Sequence, residues 1–163
     1  MNRHAQNVNL SVADRDFKYY IFDWDDNILH MPTRIHLEKR QADGRWAAHS
    51  VSTAAFAVVR KDSVNYRAPR GDWANAFVDF QDYAGEGESR FLRDTRLALE
   101  KVLAGETDPG PSFNTLRETL TEGRLFAIVT ARGHEAESLV KAVRLFIELV
   151  LTPEEKADRK SVV

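Results

Sequence analysis

The sequence predicts an α/β fold built on a doubly wound parallel sheet, and three observations carry that prediction. Residues 19–22 (YYIF) and 125–129 (LFAIV) are short, continuous apolar runs of strand length, the pattern of strands buried on both faces. Segments of helical periodicity lie between and after them, and helices that separate apolar strands imply parallel pairing through crossovers. Both runs end in polar residues: Asp23, Asp25, Asp26 and Asn27 after the first, Thr130-Ala131-Arg132-Gly133 after the second. Open α/β sheets bind ligands just beyond the carboxyl ends of their strands, so the two polar tips mark the expected site.

Taken in order, residues 1–16 lack an apolar signal core and read as a polar lead-in to one domain over 17–163. After the acids, residues 34–50 alternate Ile35 and Leu37, turn at Asp43-Gly44 and resume with Trp46 and Ala48. That is a β-hairpin placed to hang over the acids as a flap. Ser52 is a candidate N-cap for a short helix through TAAFAVVRK. Residues 62–87 read as an irregular lid, with Pro69, Gly71, Gly85 and Gly87 between the aromatics Trp73, Phe77, Phe80 and Tyr83. From Glu88 to Ala104 a helix is expected, because Phe91, Thr95, Ala98, Leu99 and Val102 share a face and Gly105 stands at C′. After the DPGP break, Ser112 is expected to cap a helix through Glu122, with Phe113, Leu116 and Leu120 inward and Gly123 as its stop. The Thr-tipped strand then leads into a last helix over about 134–151.

A chain of 163 residues, 43% hydrophobic and 29% charged, is long enough for one domain with its own core. Its 23 basic residues against 25 acidic give no basic surface for phosphate-backbone contacts, so no nucleic-acid partner is expected. The absence of cysteine excludes disulfides and thiolate chemistry. No apolar run approaches the ~18 residues of a membrane span, and a cytoplasmic protein is expected.

FDWDDNIL resembles the first motif of the haloacid dehalogenase-like (HAD) hydrolases, an apolar strand ending in D-x-D-x-[T/V], and AIVTARGHE resembles their second, an apolar strand ending in Thr or Ser. The resemblance implies a Rossmann-like HAD core and a phosphomonoester phosphatase acting on a phosphorylated small molecule through an aspartyl-phosphate. Asp23 is then the nucleophile and Asp25 the general acid/base. Thr130 and Ala131 hold the substrate phosphate, and Mg²⁺ is the cofactor, bound through Asp23 and Asp25. The chemistry is coherent in itself. A carboxylate that attacks phosphorus splits hydrolysis into two displacements, and Asp25, two residues on, points along the same side of an extended chain.

The match has departures: Asn27 stands where the motif has Thr or Val, Lys156 is a weak candidate for the third-motif lysine, and no acidic pair of the fourth motif follows a strand. The core is therefore expected to be incomplete at its C-terminus, with little activity of its own. Phe146, Ile147, Val150 and Leu151 are expected to be poorly covered, with homo-oligomerisation through an exposed sheet edge. The alternative within this reading is a non-catalytic HAD-fold remnant that binds a metal, a phosphorylated ligand or a partner chain. Two other readings fit less of the chain. A calcium loop starting at Asp23 needs Gly at its sixth position and Glu at its twelfth, where Ile28 and Arg34 stand. A metal-binding DxD of a nucleotide-sugar transferase leaves Thr130 without a role. His30, His36, His49 and His134 show no helical metal-site spacing, and Arg132 and His134 stand where they could meet a substrate.

Overall fold

The computed structural model describes residues 19–81, 88–133 and 135–158. The lead-in over 1–16, Tyr83, Gly85 and Gly87 of the expected lid, and His134 lie outside the described residues. In chain order the elements are β1 (Tyr19–Asp23), β2 (Ile35–Arg40), β3 (Trp46–Val51), α1 (Thr53–Val59), β4 (Tyr66–Arg67), α2 (Trp73–Ala76), α3 (Arg90–Leu103), α4 (Phe113–Thr121), β5 (Leu125–Val129), α5 (Ala136–Val150) and α6 (Pro153–Asp158). Short 3-10 turns stand at Pro69–Gly71 and Val78–Phe80. No described helix is long and apolar enough to cross a membrane.

The fold is mixed α/β. β1 and β5 pair in parallel, with Tyr19 opposite Leu125 and Asp23 opposite Val129, so both polar tips emerge side by side from one end of the sheet. The long connection between them carries a second sheet, antiparallel, in the order β3-β2-β4. Alternation along β1 and β5 splits their side chains between two faces. Phe22, with Phe126 and Ile128, faces a core completed by Trp24, Ile28, Leu29, Phe91, Leu99, Phe113, Leu116, Leu145 and Phe146. The helices α3, α4 and α5 supply that core from one side, each fully buried large side chain contributing roughly 1.5–3 kcal/mol.

Tyr19, Ile21, Leu125 and Val129 face the other way and are 55–69% exposed. This corrects the expectation of strands buried on both faces: among the described residues, helices cover only one face of the parallel pair. It also relocates the expected exposed apolar surface. Phe146 and Leu151 are buried and Ile147 and Val150 are half-buried, because α5 packs against α3 and α4. The open surface is the sheet's own far face.

Local signals account for most of the element ends. Gly44, with φ +81°, turns the β2–β3 hairpin, and Asp43 Oδ1 accepts the Arg45 N–H at 3.0 Å. Ser52 Oγ accepts the Ala55 N–H at 3.2 Å and caps α1. Ser112 does not cap α4 with its side chain; its N–H instead donates to Asn27 O at 2.8 Å, tying that helix start to the acid-bearing loop. The 62–87 segment is more regular than its composition suggests. Tyr66–Arg67 adds a third strand beside β2, and α2 with the Val78–Phe80 turn packs over the hairpin. Ile35, Leu37, Val51 and Ala76 form the centre of this smaller cluster, with Phe56, Tyr66, Phe77 and Phe80 around it.

Candidate functional site

Beyond β1 the chain closes a tight loop. Trp24 O accepts the N–H groups of Ile28 and Leu29 at 3.1 and 3.2 Å, and Asp26 N–H donates to Leu29 O at 2.8 Å. Asp26 adopts φ +59° to make the turn, a conformation that Asp tolerates better than most residues. Trp24 points into the core against Phe91, with ring centroids 5.7 Å apart, so its neighbours Asp23 and Asp25 are left on the outer side. Gly110 pins the loop from behind, its N–H on Ile28 O at 3.0 Å.

The three acids meet different partners. Asp26 accepts from Thr53 Oγ1 at 2.6 Å and pairs with His30 Nδ1 at 3.2 Å, which anchors it to the start of α1. Asp25 is gripped on both oxygens by Arg132: Nε donates to Oδ2 at 2.7 Å and Nη2 to Oδ1. Asp23 has no side-chain partner among the described residues. Partial burial, and then the neighbouring charge of Asp25, push its pKa above the ordinary carboxylate value, against the lowering effect of the Trp24 and Asp25 N–H groups. A carboxylate disfavoured as the anion and facing a cavity is a functional-site candidate on physical grounds.

Arg132 is the hub. Its side chain is 2% exposed, lies 4.5 Å from the Phe80 ring centroid and 5.4 Å from that of Phe91, and donates through Nη2 to Thr33 Oγ1 at 2.9 Å. Thr33 Oγ1 in turn donates to buried Asp94 at 2.6 Å, which also pairs with Arg93 at 3.1 Å. A polar chain thus runs from Asp25 through Arg132 and Thr33 into α3. The remaining Arg132 nitrogen, Nη1, is buried and has no partner among the described residues.

These groups line a cavity of about 310 Å³ whose walls are Asp23, Asp25, Thr53, Gln81, Ala131, Arg132 and Gly133 on the polar side and Ile35, Phe56, Phe77 and Phe80 on the other. The hairpin and the 73–80 segment form its roof, and Gly133 N–H holds that roof to the β5 loop by donating to Phe80 O at 3.2 Å. A larger groove of about 480 Å³ along β5 and α5 is lined by Leu120, Phe126, Ile128, Val143 and others, with no carboxylate among them. Asp23 and Asp25 thus line the smaller cavity and not the larger groove.

Of the residues singled out from sequence, Asp23, Asp25 and Ala131 come together there. Thr130 stands at the end of β5 beside them, but its hydroxyl accepts the Arg132 N–H at 3.1 Å and shapes the loop. Lys156 stands at the opposite end of α5, its Nζ on Glu148 O at 2.8 Å. Since fifteen residues of helix span roughly 22 Å, that places it far from Arg132. Sequence reasoning placed Arg132 near the expected substrate but missed its pairing with Asp25, and it missed Thr33 and Asp94. Asp94 left one legible trace, an acid set among Phe91, Thr95 and Ala98 on the buried stripe of a helix. No protein-family model, no curated protein and no solved structure matches the chain.

Proposed function

We propose that this chain is a phosphomonoester-directed hydrolase of HAD type, with Asp23 as nucleophile and the Asp25–Arg132 pair beside it. The observation that carries the reading is the convergence of Asp23, Asp25 and the 130–133 loop on one cavity at the carboxyl ends of two paired parallel strands. In the first step an Asp23 oxygen bonds to phosphorus as the bond to the leaving oxygen breaks, and the leaving group departs with that electron pair. In the second, water attacks phosphorus, passes a proton to the Asp25 carboxylate and releases Asp23 and phosphate. Arg132 and the N–H groups of the Ala131–Gly133 loop are the positive groups available to phosphate oxygens. The fuller doubly wound HAD architecture belongs to the same proposal.

Magnesium is the ion this family reading implies, and the described residues do not complete a site for it. No three His, Asp or Glu side chains among them are grouped to hold a metal, and both Asp25 oxygens are already taken by Arg132. Asp23 and the Asp25 carbonyl are too few protein ligands for an ion that demands near-octahedral geometry. No step above runs through a metal.

A second reading, a phosphate-ester-binding remnant without turnover, is favoured by that same neutralised Asp25. The test is phosphate release from a generic phosphomonoester, with and without added Mg²⁺, by the chain and its Asp23→Asn variant, alongside calorimetric binding of a phosphonate analogue. Weak turnover, lost in Asp23→Asn, is the expected result. Binding without turnover establishes the second reading, and neither binding nor turnover ends both.

A further inference from the structure

We propose that the ester this cavity takes is an aryl phosphate, its ring lying against Ile35, Phe56, Phe77 and Phe80 and its phosphate against Asp23 and the Arg132 loop. The proposal rests on the hydrolase reading above and adds the substrate class to it.

Three observations on the site carry it. The cavity is two-sided: Asp23, Asp25 and the Ala131–Gly133 loop converge from the strand ends, with Thr53 and Gln81 beside them, while Ile35, Phe56, Phe77 and Phe80 form an apolar, largely aromatic wall. A ligand that is anionic at one end and flat and apolar at the other satisfies both walls, whereas a polyhydroxylated leaving group would strand its hydroxyls against the rings. The aromatic wall is also pre-formed. Phe77 sits edge-on between Phe56 and Phe80, with centroids 5.5 and 5.7 Å away, and Phe56 is braced by Trp73 at 6.0 Å. Such offset packing fixes ring orientation and leaves faces available for another ring.

The second observation is Arg132 Nη1, a buried guanidinium nitrogen without a partner among the described residues, on a side chain that lines the cavity. An unmet buried donor is costly, and a phosphate oxygen reaching it would complete its bonding.

The third is the condition of Asp25. With both oxygens accepting from Arg132, it is committed as an acceptor rather than aimed as a donor at a departing oxygen. That suits a leaving group which departs unaided. A phenolate, whose conjugate acid has a pKa of about 10, needs far less help than an aliphatic alkoxide, whose conjugate acid is nearer water at ~15.7. The apolar wall and the Arg132-held acid therefore select the same chemical class independently.

The experiment separates recognition from turnover by using phosphonates, which have no leaving group. Binding of naphthylmethylphosphonate and of methylphosphonate to the full chain is measured by calorimetry, and hydrolysis of 1-naphthyl phosphate and glycerol 2-phosphate is followed in parallel. The naphthyl phosphonate is expected to bind at least ~30-fold more tightly, within the range apolar pockets achieve. Phe77→Leu, which keeps the roof filled, should remove most of that preference by weakening naphthyl phosphonate binding more than methylphosphonate binding; circular dichroism and a cooperative unfolding transition would verify its fold. Equal binding of the two phosphonates, or a preference indifferent to Phe77, overturns the aryl assignment even if every ester is hydrolysed. A naphthyl preference without hydrolysis of any ester supports the assignment and instead defeats the hydrolase reading.

Discussion

Replacing Arg132 with methionine would remove the cation that holds Asp25, and the structure allows the effect to be worked out. The pair is among the least solvated in the molecule, Arg132 being 2% and Asp25 16% exposed, so solvent screening gives little relief. Breaking a buried pair by removing one partner typically costs about 3–5 kcal/mol, because the other charge stays buried and uncompensated. Methionine keeps much of the contact with Phe80 and Phe91, so the lower end, about 3 kcal/mol, is expected for Arg132→Met. Asp25→Asn should cost about as much, since it strands the guanidinium. The double variant removes both charges and should cost about 3 kcal/mol rather than about 6, a coupling of about 3 kcal/mol. With a urea slope of about 2 kcal/mol/M, each single variant lowers the midpoint by about 1.5 M, and the double variant is no worse. A protein of ordinary stability, about 5–15 kcal/mol, stays folded through all three changes. Urea unfolding followed by circular dichroism measures the cycle. Additivity within about 0.5 kcal/mol, or single shifts under about 0.3 M, would refute the placement of Arg132 as a buried hub.

Gly110→Ala should be severely destabilising or insoluble, by more than about 3 kcal/mol, because the new Cβ would lie 2.5 Å from Asn27 C and 2.8 Å from Ile28 C and also meet Asn27 O, all backbone atoms that cannot rotate away; a near-native urea midpoint would contradict the clamp on the acid loop. Asp23 has a folded-state pKa raised above the ordinary carboxylate value of 3.8, so the folded state binds more protons there, and this residue's contribution to stability is present below that value and lost as pH rises through the raised one. Asp23→Asn should therefore flatten that fall in urea midpoints measured across the acid range; an unchanged slope would show that Asp23 is not its source. Phe91→Ala removes a ring that is fully buried and packed on Trp24 and should cost about 3–5 kcal/mol in the same assay, a loss under about 1 kcal/mol contradicting the core assignment. Self-association through a sheet edge, expected from sequence, is checked by sedimentation over rising concentration, and Leu125→Lys on the exposed sheet face should then restore a monomer; a monomer throughout removes that proposal.

What the sequence determined by itself was local. The Asp43-Gly44 turn, the Ser52 cap, the stops at Gly105 and Gly123 and the apolar stripe of Phe91, Ala98 and Leu99 are each written within a few neighbouring residues, because turn dihedrals, orphan helix N–H groups and helical periodicity are short-range constraints. The placing of an acid cluster and a Thr-tipped loop at adjacent strand ends was legible for a similar reason: apolar runs with intervening helices allow few topologies. The tertiary structure alone decided which acid is left without a side-chain partner among the described residues. Asp25 and Arg132 are 107 residues apart and Thr33 and Asp94 are 61 apart, and no local pattern announces a pairing created only when β1, β5 and α3 pack together. It also decided which strand face is covered. A continuous apolar run such as YYIF or LFAIV leaves no polar alternation to mark an outer face, and burial is settled by where the helices of the rest of the chain lie.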